Sequence, residues 1–179
     1  MAPLAKRNRI TITFVVILFS ALIGVGGVQF LQHKQMSDLP GELIADLGNK
    51  HIAEVTSPHI PYNSIPPTSG PHLPRINQWG VVDHQISDEL QVHNLEDGGV
   101  IVHYDPVRVD GATIEKLQQL LRSYSDRVIL EPYTRPAMST PLALTAWTRI
   151  EKLKNFDEAR IKKFIEAYRG IDHHIQGAE

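Results

Sequence analysis

The chain has 179 residues, a length that suits one compact domain with an appendage and excludes two ordinary domains. It contains no cysteine, so disulfides, thiolate metal ligands and cysteine nucleophiles are all excluded. A hydrophobic fraction of 42% indicates a folded protein, and the formal net charge of −2 gives no reason to expect a nucleic acid partner.

The first predicted element is a membrane anchor. Residues 10–30 carry no charged side chain, and a helix of that length spans about 30 Å, the thickness of the hydrocarbon layer. Lys6, Arg7 and Arg9 precede it without any acidic residue, so the positive-inside bias predicts a cytoplasmic tail at 1–9. We therefore expect a single-pass protein of the cell membrane whose remaining chain is extracytoplasmic. The alternative is a cleaved signal peptide, whose apolar region is usually shorter, about 7–15 residues.

Beyond the anchor the sequence predicts three regions. Residues 31–50 are interpreted as a juxtamembrane connector, 51–170 as the extracytoplasmic domain and 171–179 as a solvated C-terminal tail that includes its paired histidines. The domain begins with a stretch that holds six prolines between residues 58 and 74. Its apolar residues and lack of repeats indicate an ordered loop, and long loops of this kind often carry function.

The second half of the domain alternates strands and helices. Hydrophobic patterns predict strands at 100–104 and 127–131, a strand or a helix at 142–150, and helices that begin after Asp110 and Asp157. The order β-α-β-β-α predicts an α+β fold with a small mixed sheet, in which the β-α-β unit forms a parallel pair. The loop at 132–141 would then join two antiparallel strands. This order is similar to a thioredoxin-like scaffold, with Pro141 where that fold often has a cis-proline, and it implies no function.

Histidines supply the candidate chemistry, because six of the nine lie between residues 51 and 103. Imidazole is the commonest protein metal ligand, although no short two-histidine metal motif is present. Met138 adds a soft thioether, and a mixture of imidazole and thioether ligands favours copper. The opposing interpretation is that most of these histidines are hydrogen-bonded loop residues and that Met138 fills a gap in the core. The candidate metal ligands are His51, His72, His93, His103 and Met138.

The segment from His93 to the glycine pair at 98 and 99 also carries possible supporting groups. Glu96 could orient an imidazole from outside the ligand shell, and Asp97 and Asn94 are candidates for the same role. The same carboxylates could instead cap the turn. A hairpin-like turn at the glycines would bring His93 close to His103.

Several motifs resemble one known family. They are YNSIPPTSGPH at 62–72, WG at 79–80, VHNLEDGG at 92–99, LTAW at 144–147 and FDEAR at 156–160. Together they resemble the DUF3105 family of bacterial, usually membrane-anchored proteins of unassigned function, over residues 48–170. In that family the HNLE stretch often continues with His-Gly-Gly, whereas Asp97 stands here in place of that histidine. The resemblance implies that a site at this position would use a carboxylate.

The proline-rich motif has two interpretations that the sequence leaves open. It is either a rigid clamp on the edge of the sheet or a support that holds His72 as a ligand, since prolines reduce the entropy lost on ordering. The large aromatic side chain of Trp79 predicts that this residue packs in the hydrophobic core. The residues assigned to structural motifs are Tyr62, Pro66, Pro67, Thr68, Ser69, Gly70, Trp79, Gly98 and Gly99.

Three functions from different classes follow from these patterns. The first is an anchored module that binds copper and stores, delivers or detoxifies it. The second is a non-catalytic interaction or scaffold domain of the cell envelope with a protein partner. An enzyme is least favoured, because a triad of Ser69, His72 and an acid would lack the GxSxG motif.

Overall fold

A computed structural model describes residues 39–174 of the chain. The predicted membrane helix at 10–30 and the tail at 1–9 lie outside the described residues, as do residues 31–38 of the connector and residues 175–179. Among residues 39–174, no helix combines the length and the apolar character needed to cross a membrane.

The described part is an α+β domain built on one mixed sheet of six strands and three helices. The strands run in the order β1-β6-β5-β3-β4-β2, and β3 is parallel to β4 while β5 is antiparallel to both β3 and β6. The mixed α+β class is therefore confirmed. The elements are β1 (Glu42–Leu43), β2 (Gly80–Val81), α1 (Asp88–Glu96), β3 (Val100–Tyr104), α2 (Gly111–Leu121), β4 (Val128–Pro132), β5 (Leu142–Ala146), β6 (Arg149–Leu153) and α3 (Glu158–Tyr168).

Two helices begin where the capping signals predict. The side chain of Asp110 accepts a hydrogen bond from the backbone N–H of Thr113 at 2.7 Å, and Asp157 accepts one from that of Arg160 at 3.1 Å. Each carboxylate satisfies an N–H group that lacks a partner within the helix. Helices α2 and α3 pack on one face of the sheet, over the side chains of Val100, Val102 and Leu144.

The opposite face of the sheet carries α1 and the proline-rich segment. Ile101 and Ile129 point to this side and pack with Val92 and Leu95 of α1. Because side chains alternate along a strand, His103 lies on the same face as Ile101. Residues 66–73 are buried without forming a helix or a strand, as expected for an ordered loop. This face holds the groups that concern function.

Two predictions about local structure are wrong. The stretch at 142–150 is two strands, β5 and β6, joined by a turn in which Thr148 has a φ of 57°. The cis peptide bonds lie before Pro66 and Pro136, not before Pro141. The loop at 132–141 joins β4 to β5, which run antiparallel as predicted but are not neighbours, because β3 lies between them.

Helix α1 was not predicted at all, and its composition explains why. Its buried residues include Gln91, Asn94 and Glu96 beside two apolar ones. The usual separation of apolar and polar faces is therefore missing, and periodicity gives no signal. The buried polar groups of α1 instead form part of the candidate site.

Candidate functional site: a histidine–carboxylate cluster

Three segments of the chain bring three imidazoles and a carboxylate together. His51 follows the connector, His72 ends the proline-rich motif, and His93 and Glu96 belong to α1. One ligand-type atom from each residue lies within 4.8 Å of those of the other three. We call these four residues the histidine cluster.

Backbone pairing holds the first two imidazoles side by side. The N–H of Ile52 donates to the carbonyl of His72 at 2.8 Å, and the N–H of His72 donates to that of Lys50 at 3.0 Å. The two rings meet edge to face with centroids 5.0 Å apart. His51 remains exposed, whereas His72 is fully buried.

The proline-rich motif fixes the position of His72. Gly70 has a φ of +124°, and a Cβ atom there would stand 3.1 Å from the ring of Tyr62. The Tyr62 hydroxyl donates to the carbonyl of Pro71 at 2.5 Å, and Ser69 Oγ accepts from the N–H of Leu47 at 3.0 Å. The motif is thus a clamp that also carries a cluster residue, so its two interpretations are compatible.

Helical spacing explains the contribution of α1. His93 and Glu96 are three residues apart and share one face of the helix. The His93 ring stacks on that of His51 with centroids 5.4 Å apart and lies 5.0 Å from the ring of His72. Asn94 points elsewhere, since its amide bonds to the backbone N–H and carbonyl of Asn77 at 2.8 and 2.9 Å. Asn94 therefore anchors a loop and does not support the cluster directly.

When the ring of His72 is neutral, its orientation places a nitrogen lone pair opposite a carboxylate oxygen of Glu96. Its Nδ1 donates to the carbonyl of Gly70 at 2.8 Å, which leaves Nε2 with a lone pair in the neutral ring. Nε2 lies 2.9 Å from Oε2 of Glu96. Burial lowers the pKa of His72, although the Gly70 hydrogen bond and the Glu96 charge oppose that effect. A neutral imidazole and an ionised carboxylate repel each other at this distance, so either a proton or a metal cation must lie between them.

Glu96 is the centre of the arrangement and is 1% exposed. Its Oε2 also lies 3.9 Å from Nε2 of His51 and 3.5 Å from Nε2 of His174. Within residues 39–174, its buried Oε1 has no hydrogen-bond partner. A buried carboxylate oxygen without a donor is costly, so Glu96 has unused ligand capacity.

The C-terminal segment contributes to the site, although Ile171, Asp172 and His174 are exposed to solvent. The N–H of His173 donates to the backbone carbonyl of Glu96 at 2.9 Å, and its ring stacks on Trp147 with centroids 5.9 Å apart. His174 Nε2 lies 3.6 Å from Oδ1 of Asp97. Sequence reasoning missed this contribution, and the adjacent histidines 173 and 174 were the available signal.

Two candidate ligands lie elsewhere. His103 is paired with Glu131 and Thr145 inside the sheet, so no turn brings it to His93. Met138 is buried against Tyr133 and Ala143, which agrees with the core-filling alternative. The enzyme hypothesis gains no support either, because both ring nitrogens of His72 face groups other than Ser69.

Gly98, Gly99 and Trp79 pack around the C-terminal end of α1, next to the histidine cluster. Gly98 has a φ of +77°, and a Cβ there would stand 2.7 Å from the carbonyl oxygen of Ile171. A Cβ on Gly99 would collide with the carbonyl oxygen of Asn94 and with the ring of Trp79. These glycines allow the end of α1, the C-terminal segment and the tryptophan to pack closely.

Fold and site together define an α+β domain with a partly buried histidine–carboxylate cluster on one face of its sheet. The sequence model of a family described as a protein of unknown function, DUF3105, matches residues 54–178. The chain therefore belongs to the DUF3105 family, and the predicted resemblance is confirmed. No curated protein and no solved structure matches the chain.

Proposed function

We propose that this domain binds a transition-metal ion through His51, His72, His93 and Glu96. The observation that carries the proposal is the approach of Nε2 of His72 to Oε2 of Glu96 at 2.9 Å, with the other nitrogen of His72 committed to Gly70. A metal ion would accept both lone pairs. The Gly70 hydrogen bond resembles the outer contacts that fix ligand histidines in metal sites.

The donor set favours a divalent ion of the copper and zinc type. Three imidazoles and one carboxylate suit Cu(II), Zn(II) and their neighbours, and Cu(II) binds most tightly in the usual order of stability. The sequence-based preference for copper relied on Met138 as a soft ligand. Because Met138 packs in the core, support for Cu(I) weakens and we propose Cu(II) as the preferred ion.

We also propose that this centre works outside the cytoplasm on a single-pass anchor. The proposal relies on the uncharged stretch at 10–30 and the basic residues before it. A domain tethered to the membrane surface with one metal site could store, deliver or detoxify the ion. No substrate needs to be transformed for any of these roles.

The thioredoxin-like scaffold remains part of the proposal. The strand order β6-β5-β3-β4, with a helix between the parallel strands and another after β6, supports it. Both of those helices pack on the same face of the sheet. The scaffold carries no functional implication, because one fold supports many activities.

Metal titration of the purified full-length chain in detergent tests the function. Metal-stripped protein is titrated with Cu(II), Zn(II) and Cu(I), and Mg(II) serves as a hard-ion control. His51→Ala is the informative variant because the ring is about half exposed and its loss should leave the fold intact. The matched control is His84→Ala, whose ring is also exposed and contacts Asp83 instead.

We expect the wild-type chain to bind one equivalent of Cu(II), and His51→Ala to lose at least about tenfold in affinity. His84→Ala should bind as the wild type does. Equal Cu(II) affinities for the wild type, His51→Ala and Glu96→Gln would refute the metal site. The cell-envelope interaction domain would then be the better hypothesis.

A further inference from the structure

We propose that the cluster has a second, outer position for the same cation, formed by His93, Asp97 and His174, through which the ion enters and leaves. This inference rests on the proposed metal-binding function. The outer position would hold the ion transiently, and the inner position formed by the histidine cluster would be its resting place.

The outer residues are arranged as a ligand set. One ligand-type atom of each lies within 4.8 Å of those of the other two. Asp97 follows His93 by four residues, so both side chains lie on one side of the end of α1, with Oδ1 and Nε2 3.8 Å apart. His174 approaches from the C-terminal segment, 3.6 Å from that same Oδ1 atom.

When its ring is neutral, His174 presents the lone pair of Nε2 towards these carboxylates, although the hydrogen bond to Asp172 raises the pKa of the ring. Its Nδ1 lies 2.7 Å from Oδ1 of Asp172, which can only accept, so Nδ1 carries the proton. In the neutral ring Nε2 is then the free donor atom, and it faces both Asp97 and Glu96. A carboxylate that holds one nitrogen while the other binds metal is a common feature of metal sites.

Two buried atoms provide an independent indication of a ligand. Nδ1 of His93 and Oε1 of Glu96 are buried, and neither has a hydrogen-bond partner among residues 39–174. The residues that carry them stand at the boundary between the two positions. Both side chains therefore have an unsatisfied atom in addition to Nε2 of His93 and Oε2 of Glu96, which face Asp97 and His174.

Exposure shows that the outer group can be reached from solution. The side chains of His174 and Asp97 are 44% and 29% exposed, whereas those of His72 and Glu96 are 0% and 1% exposed. His51 is also exposed, so the outer group offers one of two routes to the buried residues, and the kinetics of outer variants measure its share. His93 belongs to both sets, so the ion can exchange one ligand at a time without losing all of them.

The shared imidazole also limits occupancy to one ion. If His93 ligates through one nitrogen, two divalent ions cannot both use it, and they would repel each other at such short range. The C-terminal segment is held in place by bonds from Gly170 to Gly98 and from His173 to Glu96. The outer position is therefore part of the folded domain.

Loading and release kinetics of the full-length chain in detergent test this inference. Cu(II) is mixed rapidly with metal-stripped protein, and release is followed after addition of a chelator. The variants are His174→Ala and Asp97→Asn. Their matched controls are His84→Ala and Asp83→Asn, which alter an exposed histidine–aspartate pair on another part of the surface.

We expect both outer variants to load and release Cu(II) about tenfold more slowly than the wild type, with little change in equilibrium affinity. A simple loss of negative charge would give a different result, because it would slow loading and speed release. The controls should match the wild type, and the stoichiometry should be one ion per chain.

Unchanged rates in both outer variants would overturn the inference while leaving the inner site intact. Binding of two ions per chain, with one lost in His174→Ala, would also overturn it in favour of a two-metal centre. If the wild-type chain binds no Cu(II), or Glu96→Gln binds as well as the wild type, the proposed function itself fails and the inference fails with it.

Discussion

Nδ1 of His103 lies 2.9 Å from Oε1 of Glu131, and neither side chain is exposed to solvent. The two residues are register partners on the parallel strands β3 and β4. Each has a further partner, since Nε2 of His103 meets the Thr145 hydroxyl at 2.8 Å and Oε2 of Glu131 accepts from the N–H of Ile86 at 2.6 Å. Both side chains are therefore held through their other polar atoms, whereas the second carboxylate oxygen of Glu96 has no hydrogen-bond partner within residues 39–174.

Replacing His103 with alanine should destabilise the domain strongly. The variant leaves the buried Glu131 carboxylate without the imidazole that faces it, and removing one partner of a buried pair typically costs about 3–5 kcal/mol. Denaturant unfolding of His103→Ala measures the loss. The double variant His103→Ala, Glu131→Gln should recover part of it, and Cu(II) affinity of the folded fraction should stay unchanged. A loss below about 1 kcal/mol, typical of an exposed pair, would contradict a buried interaction between these two side chains.

Asp88 should make the stability depend on pH in the opposite sense to most carboxylates. Burial raises the pKa of Asp88 to about 6, and the charge of Glu89 adds to this, while hydrogen bonds from Tyr133 and Gln91 and the nearby His103 oppose it. The folded state therefore holds a proton that the unfolded chain releases near pH 4. Its contribution to the free energy of unfolding is complete below pH 4 and is lost as the pH rises to about 6.

Asp88→Asn isolates that contribution because the amide oxygen can still accept from Tyr133 and Gln91. Between pH 4 and pH 7, the wild type should lose at most about 3 kcal/mol of unfolding free energy through the deprotonation of Asp88. The free energy of unfolding should be measured for both proteins across this range. The value for the wild type minus the value for Asp88→Asn should become more negative as the pH rises. A flat difference would mean that Asp88 titrates normally.

The structure shows which local sequence signals are sufficient to predict a helix or a turn. Helices α2 and α3 were predictable because Asp110 and Asp157 are strong caps followed by apolar periodicity. The turn between β5 and β6 was not, because the apolar alternation runs through it and Thr148 gives no glycine signal for its φ of 57°. Helix α1 was not predictable from hydrophobic periodicity, because several of its buried residues are polar.

The site was predictable by residue type but not by arrangement. His51, His72, His93 and Glu96 were candidates, yet they come from three segments whose convergence depends on tertiary packing. Selection by residue type also made His103 a candidate metal ligand. The local sequence does not show that strand β4 places Glu131 opposite this histidine. Metal binding at the cluster stays a prediction.

Gly98→Ala should detach the C-terminal segment from the end of α1. The added Cβ would stand 2.7 Å from the carbonyl oxygen of Ile171, in addition to the cost of a positive φ. Gly48→Ala is the matched control, since Gly48 has a similar φ of +79° but open space around its Cβ position.

Both glycine variants should lose about 1–2 kcal/mol of stability from backbone strain. Only Gly98→Ala should accelerate hydrogen exchange at the amides of Gly170 and His173, which donate to Gly98 and Glu96. Equal exchange rates in the two variants would show that the segment does not depend on the close approach at Gly98.

Glu96→Gln should have opposite effects on stability and on metal binding. In the metal-free chain a glutamine amide could donate to Nε2 of His72, where the carboxylate presents only a lone pair at 2.9 Å. We expect this variant to be more stable than the metal-free wild type by about 1 kcal/mol, the worth of one hydrogen bond. Its Cu(II) affinity should fall at least about tenfold, because the charged ligand is gone.

Glu131→Gln is the matched control, as it also removes a buried carboxylate beside a histidine. Glu131 accepts from the N–H of Ile86 through one oxygen and faces Nδ1 of His103 with the other. A glutamine has only one acceptor oxygen for these two donors, so this variant should lose stability. Denaturant unfolding of both variants in a chelating buffer makes the comparison. If Glu96→Gln is destabilised as much as Glu131→Gln, then Glu96 is an ordinary structural partner of His72, and the need for a cation between them disappears.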